Sequence, residues 1–199
     1  MMKTMMNLSH KPYNITNLLP LMDLNNGPWI AGGAALNFHQ DGNFLNANDV
    51  DIYFANKAQY QEFKQTLYDC GATDNHQQRQ GNDYGHGALC WLNYIGYVLN
   101  CVGFRSEETA IDCINSFDIT VCQFATDGKQ VIHTPEAIAD LETGTLHFID
   151  VNKSIADHGW DNVERRIKKY IKKGFLPDSE VTIKLMLGKK NHDEKFRIT

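Results

Sequence analysis

Two aspartates at the start of a short β-prone run constrain this chain more than any other feature. They lie in residues 48–54, which read NDVDIYF. Because successive side chains of a strand point to opposite faces, Asp49 and Asp51 are predicted to share one face, while the apolar residues between and after them enter a core. Two carboxylates this close repel each other unless water or a cation neutralises them. The pattern therefore predicts either a pair of magnesium ligands or an exposed acidic strand start.

A pair of glycines precedes this strand. Residues 28–31 (PWIA) are predicted to form a short buried strand that ends at Gly32 and Gly33, and a helix is predicted from residue 34 to about residue 39. Glycine lets a ligand approach the backbone closely, and the free N–H groups of a helix start favour an anion. The pair therefore indicates a phosphate-holding turn, with a plain tight turn as the alternative.

A single aspartate interrupts a third apolar run. Residues 117–125 (FDITVCQFA) are predicted to form one strand that carries Asp118. An isolated aspartate in a core strand is costly unless it is paired or binds a metal. If this strand neighbours residues 50–55, Asp118 would lie beside Asp49 and Asp51. Three such carboxylates could hold two magnesium ions for phosphoryl or nucleotidyl transfer.

The remaining pattern alternates helix and strand signals. Further strands are predicted over residues 88–94, 97–103 and 130–133. Helices are predicted over residues 13–26 with a kink near Pro20, over residues 57–70 with Asn56 as the N-cap, and over residues 106–116 and 135–141.

The charge balance changes after about residue 150. Residues 1–150 hold 7 Lys/Arg and 17 Asp/Glu, whereas residues 151–199 hold 12 Lys/Arg and 7 Asp/Glu. Residues 154–174 are predicted to form one long amphipathic helix with a basic face, which is either a phosphate-binding surface or simply solvated. We therefore predict an α+β catalytic-type domain over residues 1–150 and a basic helical appendage over residues 151–199.

The motifs, in this order, resemble the polymerase-beta-like nucleotidyltransferase superfamily, especially its small bacterial, phage and viral members. The resemblance covers roughly residues 28–175 and rests on the stretches WIAGGAALNF, NDVDIYF, NSFDITVCQF and RRIKKYIKKGF. It implies a mixed β-sheet flanked by helices, followed by a C-terminal helical appendage.

The same resemblance implies roles for particular residues. Asp49, Asp51 and Asp118 would be the catalytic carboxylates and the ligands of Mg²⁺ or Mn²⁺. Gly32 and Gly33 would hold the phosphates of the nucleotide, and one lysine of the basic helix would contact them. Among the lysines of that helix we favour Lys169.

The implied reaction is transfer of a nucleoside monophosphate from a nucleoside triphosphate to an acceptor hydroxyl, with release of pyrophosphate. The acceptor stays open between an RNA end, a protein and a small molecule. The alternative is a catalytically silent module of the same fold that binds a nucleotide or a partner. Because the sequence has neither a run of about 18 apolar residues nor a recognisable signal peptide, we expect a cytoplasmic protein without a membrane partner.

Overall fold

The computed structural model describes residue 15 and residues 18–75, 89–102 and 109–195. Predictions for residues 13, 14, 16, 17, 76–88 and 103–108 therefore lie outside the described residues. The chain divides into two compact units. The first unit comprises residues 1–110 and 125–131, and the second comprises residues 111–124 and 132–199. The chain passes from one unit to the other after residues 110, 124 and 131.

The described residues form a mixed sheet of seven strands, which are β1 (Trp29–Ala31), β2 (Val50–Tyr53), β3 (Thr73–Asp74), β4 (Leu89–Tyr94), β5 (Tyr97–Val102), β6 (Phe124–Thr126) and β7 (Val131–His133). The strand order is β3-β4-β5-β2-β1-β6-β7. Strands β1 to β5 belong to the first unit, and β6 and β7 each include residues of both units. At the centre, β2 pairs antiparallel with β1 and parallel with β5. This arrangement confirms the predicted α+β fold with a mixed sheet.

Two helices of the first unit follow the predicted pattern. They are α1 (Gly33–Asp41) and α2 (Lys57–Asp69). The predicted N-cap of α2 is confirmed, because the Asn56 side chain accepts a hydrogen bond from the backbone N–H of Gln59 at 2.9 Å. The apolar residues at helical spacing in α2 belong to the same buried core as the apolar face of β2. That core includes Tyr60, Phe63, Leu67, Val50 and Ile52.

The predicted helix over residues 13–26 was wrong for the part that the structure describes. Among the described residues of this segment no α-helix forms, and Leu19–Leu21 and Ile15 adopt 3-10 conformation. Beyond these residues, the Asp23 carboxylate accepts hydrogen bonds from the Asn25 backbone N–H at 2.8 Å and from the Asn26 side chain at 2.9 Å. These local bonds satisfy the polar groups in a turn and so compete with continuation of a helix.

The second unit is mainly helical. Its helices are α3 (Ala110–Asn115), α4 (Pro135–Thr143), α5 (Val151–His158), α6 (Trp160–Ile171) and α7 (Ser179–Lys195). Two short strands, β8 (Thr145–Leu146) and β9 (Leu176–Pro177), pair in parallel. Residues 181–187 lie in α7. No helix in the part of the chain that the structure describes combines the length and apolarity that a membrane crossing requires.

The single strand predicted over residues 117–125 was wrong. The segment contains a 3-10 turn at Thr120–Cys122, and the strand proper begins only at Phe124. The Gln123 side chain donates to the backbone carbonyl of Phe117 at 2.9 Å, which closes the turn. Side-chain bonds of this kind give the backbone an alternative to a strand ladder, although the run is rich in residues that favour strands.

The single helix predicted over residues 154–174 was also wrong. Gly159 ends α5 and begins α6, with φ of 78° and ψ of 152°. That backbone conformation is accessible essentially to glycine alone. The Gly159 N–H still bonds to the Ile155 carbonyl at 2.9 Å, and the Gly159 carbonyl accepts from Val163 at 3.2 Å. Both helices are therefore closed by the same residue, and the chain changes direction between them.

Candidate functional site

The glycine turn and the aspartates meet at the centre of the sheet. Because β1 and β2 are antiparallel, the carboxyl end of β1 lies beside the amino end of β2, and Ala31 is the register partner of Asp51. Gly32 follows Ala31 directly and caps α1 with a φ of 75°. No side chain caps this helix start. The sheet therefore brings a glycine turn, an uncapped helix N-terminus and an aspartate to one place.

The two aspartates occupy slightly different backbone settings. Val50 and Ile52 are fully buried, whereas Asp51 and Tyr53 are partly exposed, so the predicted alternation holds along β2. Asp49 lies in the bend immediately before β2 and is also partly exposed. Both aspartates are therefore partly exposed to solvent, whereas Val50 between them is anchored in the core.

Asp51 has a polar neighbour that the sequence analysis did not single out. Its register partner on β5 is Asn100, whose Nδ2 donates a hydrogen bond to Asp51 Oδ1 at 2.7 Å. Asn100 is only 7% exposed, and its Oδ1 has no hydrogen-bond partner among the residues that the structure describes. The available signal was one amide within the otherwise apolar run YVLNCV. On the other side of Asp51 the cross-strand neighbour is the methyl group of Ala31.

Asp118 belongs to the second unit and is held by an arginine. Arg166 of α6 donates to both carboxylate oxygens, at 2.7 Å and 2.5 Å, and the two side chains are 25% and 23% exposed for Arg166 and Asp118. Burial alone would raise the pKa of Asp118, but the hydrogen bonds and charge of Arg166, with smaller contributions from Ser154 and His158, hold that pKa below its usual value. Asp118 is therefore an ionised partner of Arg166 at neutral pH.

A buried thiol lies near this ion pair. The sulfur of Cys122 is 2.7 Å from the hydroxyl oxygen of Tyr170. Burial raises the pKa of Cys122, and the hydrogen bond with Tyr170 opposes that rise without overcoming it. The side chain is therefore a neutral thiol at physiological pH, as expected for a packing cysteine rather than a nucleophile.

The basic helix α6 presents lysines in different situations. Lys168 forms an ion pair with Glu164 one turn earlier, at 2.9 Å. Lys169 is exposed. The apolar stripe predicted beneath these lysines is confirmed, because Val163 and Ile167 are fully buried. Lys169 thus lies on the solvated face of an anchored helix.

The predicted site residues fall in different parts of the molecule. Gly32, Gly33, Asp49 and Asp51 belong to the first unit, and the structure brings them together on adjacent strands. Asp118 and Lys169 belong to the second unit. Within residues 15, 18–75, 89–102 and 109–195, no group of three or more His, Cys, Asp or Glu side chains is arranged to hold a metal ion.

Comparison with known proteins gives one family and one fold. Residues 4–144 match the model of a family described as Gabija anti-defense 2 family protein. No curated protein matches the chain.

Solved structures that resemble the chain at low sequence identity include the following two. A Thermotoga maritima CCA-adding enzyme complexed with tRNA is 14% identical with a TM-score of 0.54, over 85% of this chain and 43% of that one. A tRNA-processing enzyme complex is 16% identical with a TM-score of 0.51, over 76% of this chain and 40% of that one. The chain thus spans about two fifths of the length of these enzymes. The likeness shows a shared nucleotidyltransferase-like fold.

Proposed function

The chain belongs to the Gabija anti-defense 2 family, and from this premise we propose that it opposes Gabija defence as a nucleotidyltransferase. It transfers a nucleoside monophosphate from a nucleoside triphosphate to an acceptor hydroxyl and releases pyrophosphate. The observation that carries the proposal is the register of β1 and β2, which sets the turn after Ala31 beside Asp51. A phosphate-binding turn next to a carboxylate is the arrangement that this reaction needs.

The residues of the first unit fit a magnesium or manganese ion. Asp49 and Asp51 supply hard carboxylate oxygens, and magnesium is commonly bound through one or two carboxylates together with the phosphates of its substrate. When bound, such an ion would neutralise charge on the phosphates and activate the attacking hydroxyl. The protein's own contribution is to bind the triphosphate at Gly32 and Gly33 and to fix the orientation of the two carboxylates.

Asp118 and Lys169 enter the proposal from the family resemblance. We propose Asp118 as a third catalytic carboxylate and Lys169 as a contact of the nucleotide. The ion pair with Arg166 bears on the first role, because a carboxylate whose two oxygens already accept from a guanidinium is a weaker metal ligand than a free one. Asp118 and Lys169 therefore need their own substitutions rather than a shared test with Asp49 and Asp51.

The acceptor is proposed to be a component of the cell that Gabija protects, either a protein hydroxyl or an RNA end. One related structure is a complex with tRNA and the other is a tRNA-processing enzyme complex, but this chain spans only about two fifths of their length. Its net charge of −5 also disfavours a long nucleic-acid footprint, since such footprints depend on neutralising phosphates. A protein acceptor therefore ranks before RNA.

Label transfer tests the reaction directly. The purified chain is incubated with each α-labelled nucleoside triphosphate and Mg²⁺ or Mn²⁺, in extracts of cells that carry Gabija and of matched cells that lack it. We expect label to enter protein in the Gabija extract with the wild type and not with the Asp49→Ala/Asp51→Ala variant. Protease and ribonuclease digestion then assign the acceptor class. Absence of transfer with every nucleotide, together with absence of metal-dependent nucleotide binding, would refute the proposal.

The same assay addresses the second unit. Lys169→Ala should raise the KM for the nucleotide, whereas Lys168→Ala is the matched control because Lys168 already pairs with Glu164. An unchanged KM for Lys169→Ala would remove this residue from the nucleotide site.

A catalytically silent module of the same fold is the second candidate. It is favoured by the Asp118–Arg166 pair and by the lack of a three-carboxylate group among the residues that the structure describes. Asp118→Asn separates the two candidates. An enzyme that uses this carboxylate should lose transfer and keep nucleotide binding, whereas a silent module shows no transfer to lose.

A further inference from the structure

We propose that Asn100 is a positioning residue that orients the Asp51 carboxylate for its metal, an inference that rests on the proposed function. Asn100 faces Asp51 directly across the parallel pair of β2 and β5, and its amide nitrogen is 2.7 Å from Asp51 Oδ1. Second-shell hydrogen bonds of this kind fix the orientation of metal-binding side chains and tune their affinity.

The position of Asn100 is hard to explain by packing alone. Leu99 and Cys101, its neighbours on β5, are fully buried, and Asn100 itself is 7% exposed. Its Oδ1 is buried without a hydrogen-bond partner. Leaving a buried acceptor unsatisfied costs about 1–3 kcal/mol, so an apolar residue would serve the strand better unless the amide acts on Asp51.

The amide also suits this position better than a carboxylate. The Asn100 amide nitrogen is 2.7 Å from Asp51 Oδ1. A second carboxylate in place of this amide would repel the Asp51 carboxylate. Asn100 instead supplies a hydrogen-bond donor without adding charge, and so holds the Asp51 carboxylate in one orientation.

Binding of Mn²⁺, followed by the loss of the electron paramagnetic resonance signal of the free ion, tests this inference without requiring catalysis. The full chain is titrated as wild type and as Asn100→Leu, with Asp49→Ala/Asp51→Ala as the metal-free reference. Asn100→Leu should raise the Mn²⁺ Kd about 10–100-fold. Its Tm should be unchanged or higher, because the orphan polar atom has been removed.

A matched control is Asn93→Leu, because Asn93 also lies on a strand but bonds to Asn75 instead of a carboxylate. It should leave Mn²⁺ binding unchanged. If Asn100→Leu does not fold, Asn100→Thr, which keeps a strand-favouring residue of smaller size, is measured in its place.

The outcomes separate the two proposals. If the wild type and the folded Asn100 variant bind Mn²⁺ with the same Kd, the positioning role is overturned and the proposed function stays intact. Wild type that binds no Mn²⁺ with or without a nucleoside triphosphate overturns both.

Discussion

Replacing Arg166 with leucine removes the guanidinium that donates hydrogen bonds to both carboxylate oxygens of Asp118. The substitution keeps an apolar side chain on α6, a helix anchored by Val163 and Ile167, so loss of helix packing contributes little. What remains is a carboxylate that is 23% exposed and has lost its counter-charge. The protein must then either keep an unpaired charge in that environment or protonate it.

The magnitude follows from the exposure of the pair. Breaking a fully buried ion pair costs about 3–5 kcal/mol, and an exposed pair contributes about 0–1 kcal/mol. With about a quarter of each side chain exposed, we expect Arg166→Leu to lower the free energy of unfolding by about 2–3 kcal/mol at pH 7. For a chain of this size that corresponds to a decrease in Tm of roughly 4–12 °C.

The pH dependence gives the sign. The pKa of Asp118 is lowered in the folded wild type, mainly by Arg166 against the opposing effect of burial. Asp118 therefore contributes stability above the pKa of an unfolded aspartate, about 3.9, and this contribution is lost as the pH falls through the lower folded value. In Arg166→Leu, burial is opposed only by the smaller effects of Ser154 and His158, so the pKa of Asp118 is higher than in the wild type. The difference in stability between the two proteins should shrink as the pH falls from 7 to about 3.

Urea unfolding followed by circular dichroism at several pH values measures these quantities. Arg165→Leu is the matched control, because Arg165 is exposed and its loss should change stability by less than about 0.5 kcal/mol. A double-mutant cycle of Asp118→Asn with Arg166→Leu isolates the coupling between the two residues. Equal stability of the Arg165 and Arg166 variants at pH 7, or a difference that does not change with pH, would refute the reasoning.

Two further substitutions test the local structure. Gly159→Ala should lower stability by about 1–3 kcal/mol in thermal melts, because alanine is strained at φ of 78° and ψ of 152°. The control is Gly188→Ala inside α7, which should be neutral or stabilising. Equal changes in stability for the two variants would contradict a break between α5 and α6 at Gly159. Asn56→Ala should lower the free energy of unfolding in urea by about 1 kcal/mol, because the cap bond to Gln59 is lost. Asn56→Asp should retain most of that stability. An alanine variant as stable as the wild type would show that the cap does not stabilise α2.

Local sequence signals were sufficient for the central strands and for the first part of the site. The run at residues 50–53 alternates between buried and partly exposed side chains as its composition predicts, and Asn56 caps the following helix. The order of a short apolar strand, Gly32 and Gly33 likewise specified a strand, a turn and a helix start. In each case the determining interactions lie within a few residues along the chain.

The features that were missed depend on distant contacts. Asn100 is brought to Asp51 only by the parallel pairing of β5 with β2. The ion pair likewise joins Asp118 to a residue 48 positions away. The break at Gly159 was missed because hydrophobic periodicity continues on both sides of it. The turn at Thr120–Cys122 was missed because its residues have high strand propensity, whereas side-chain hydrogen bonds with the backbone stabilise a turn there.

The route of the chain through the sheet has a consequence for synthesis on the ribosome. Ala31, on β1, is paired with Ala125, on β6, and residues 125–131 belong to the first unit although residues 111–124 do not. A growing chain that has reached only residue 110 therefore leaves one edge of β1 without its partner. Unpaired strand edges promote association between chains. The first unit completes its sheet only after the translating ribosome has passed well beyond Gly32, Gly33, Asp49 and Asp51, so the aggregation-prone interval spans the emergence of α3.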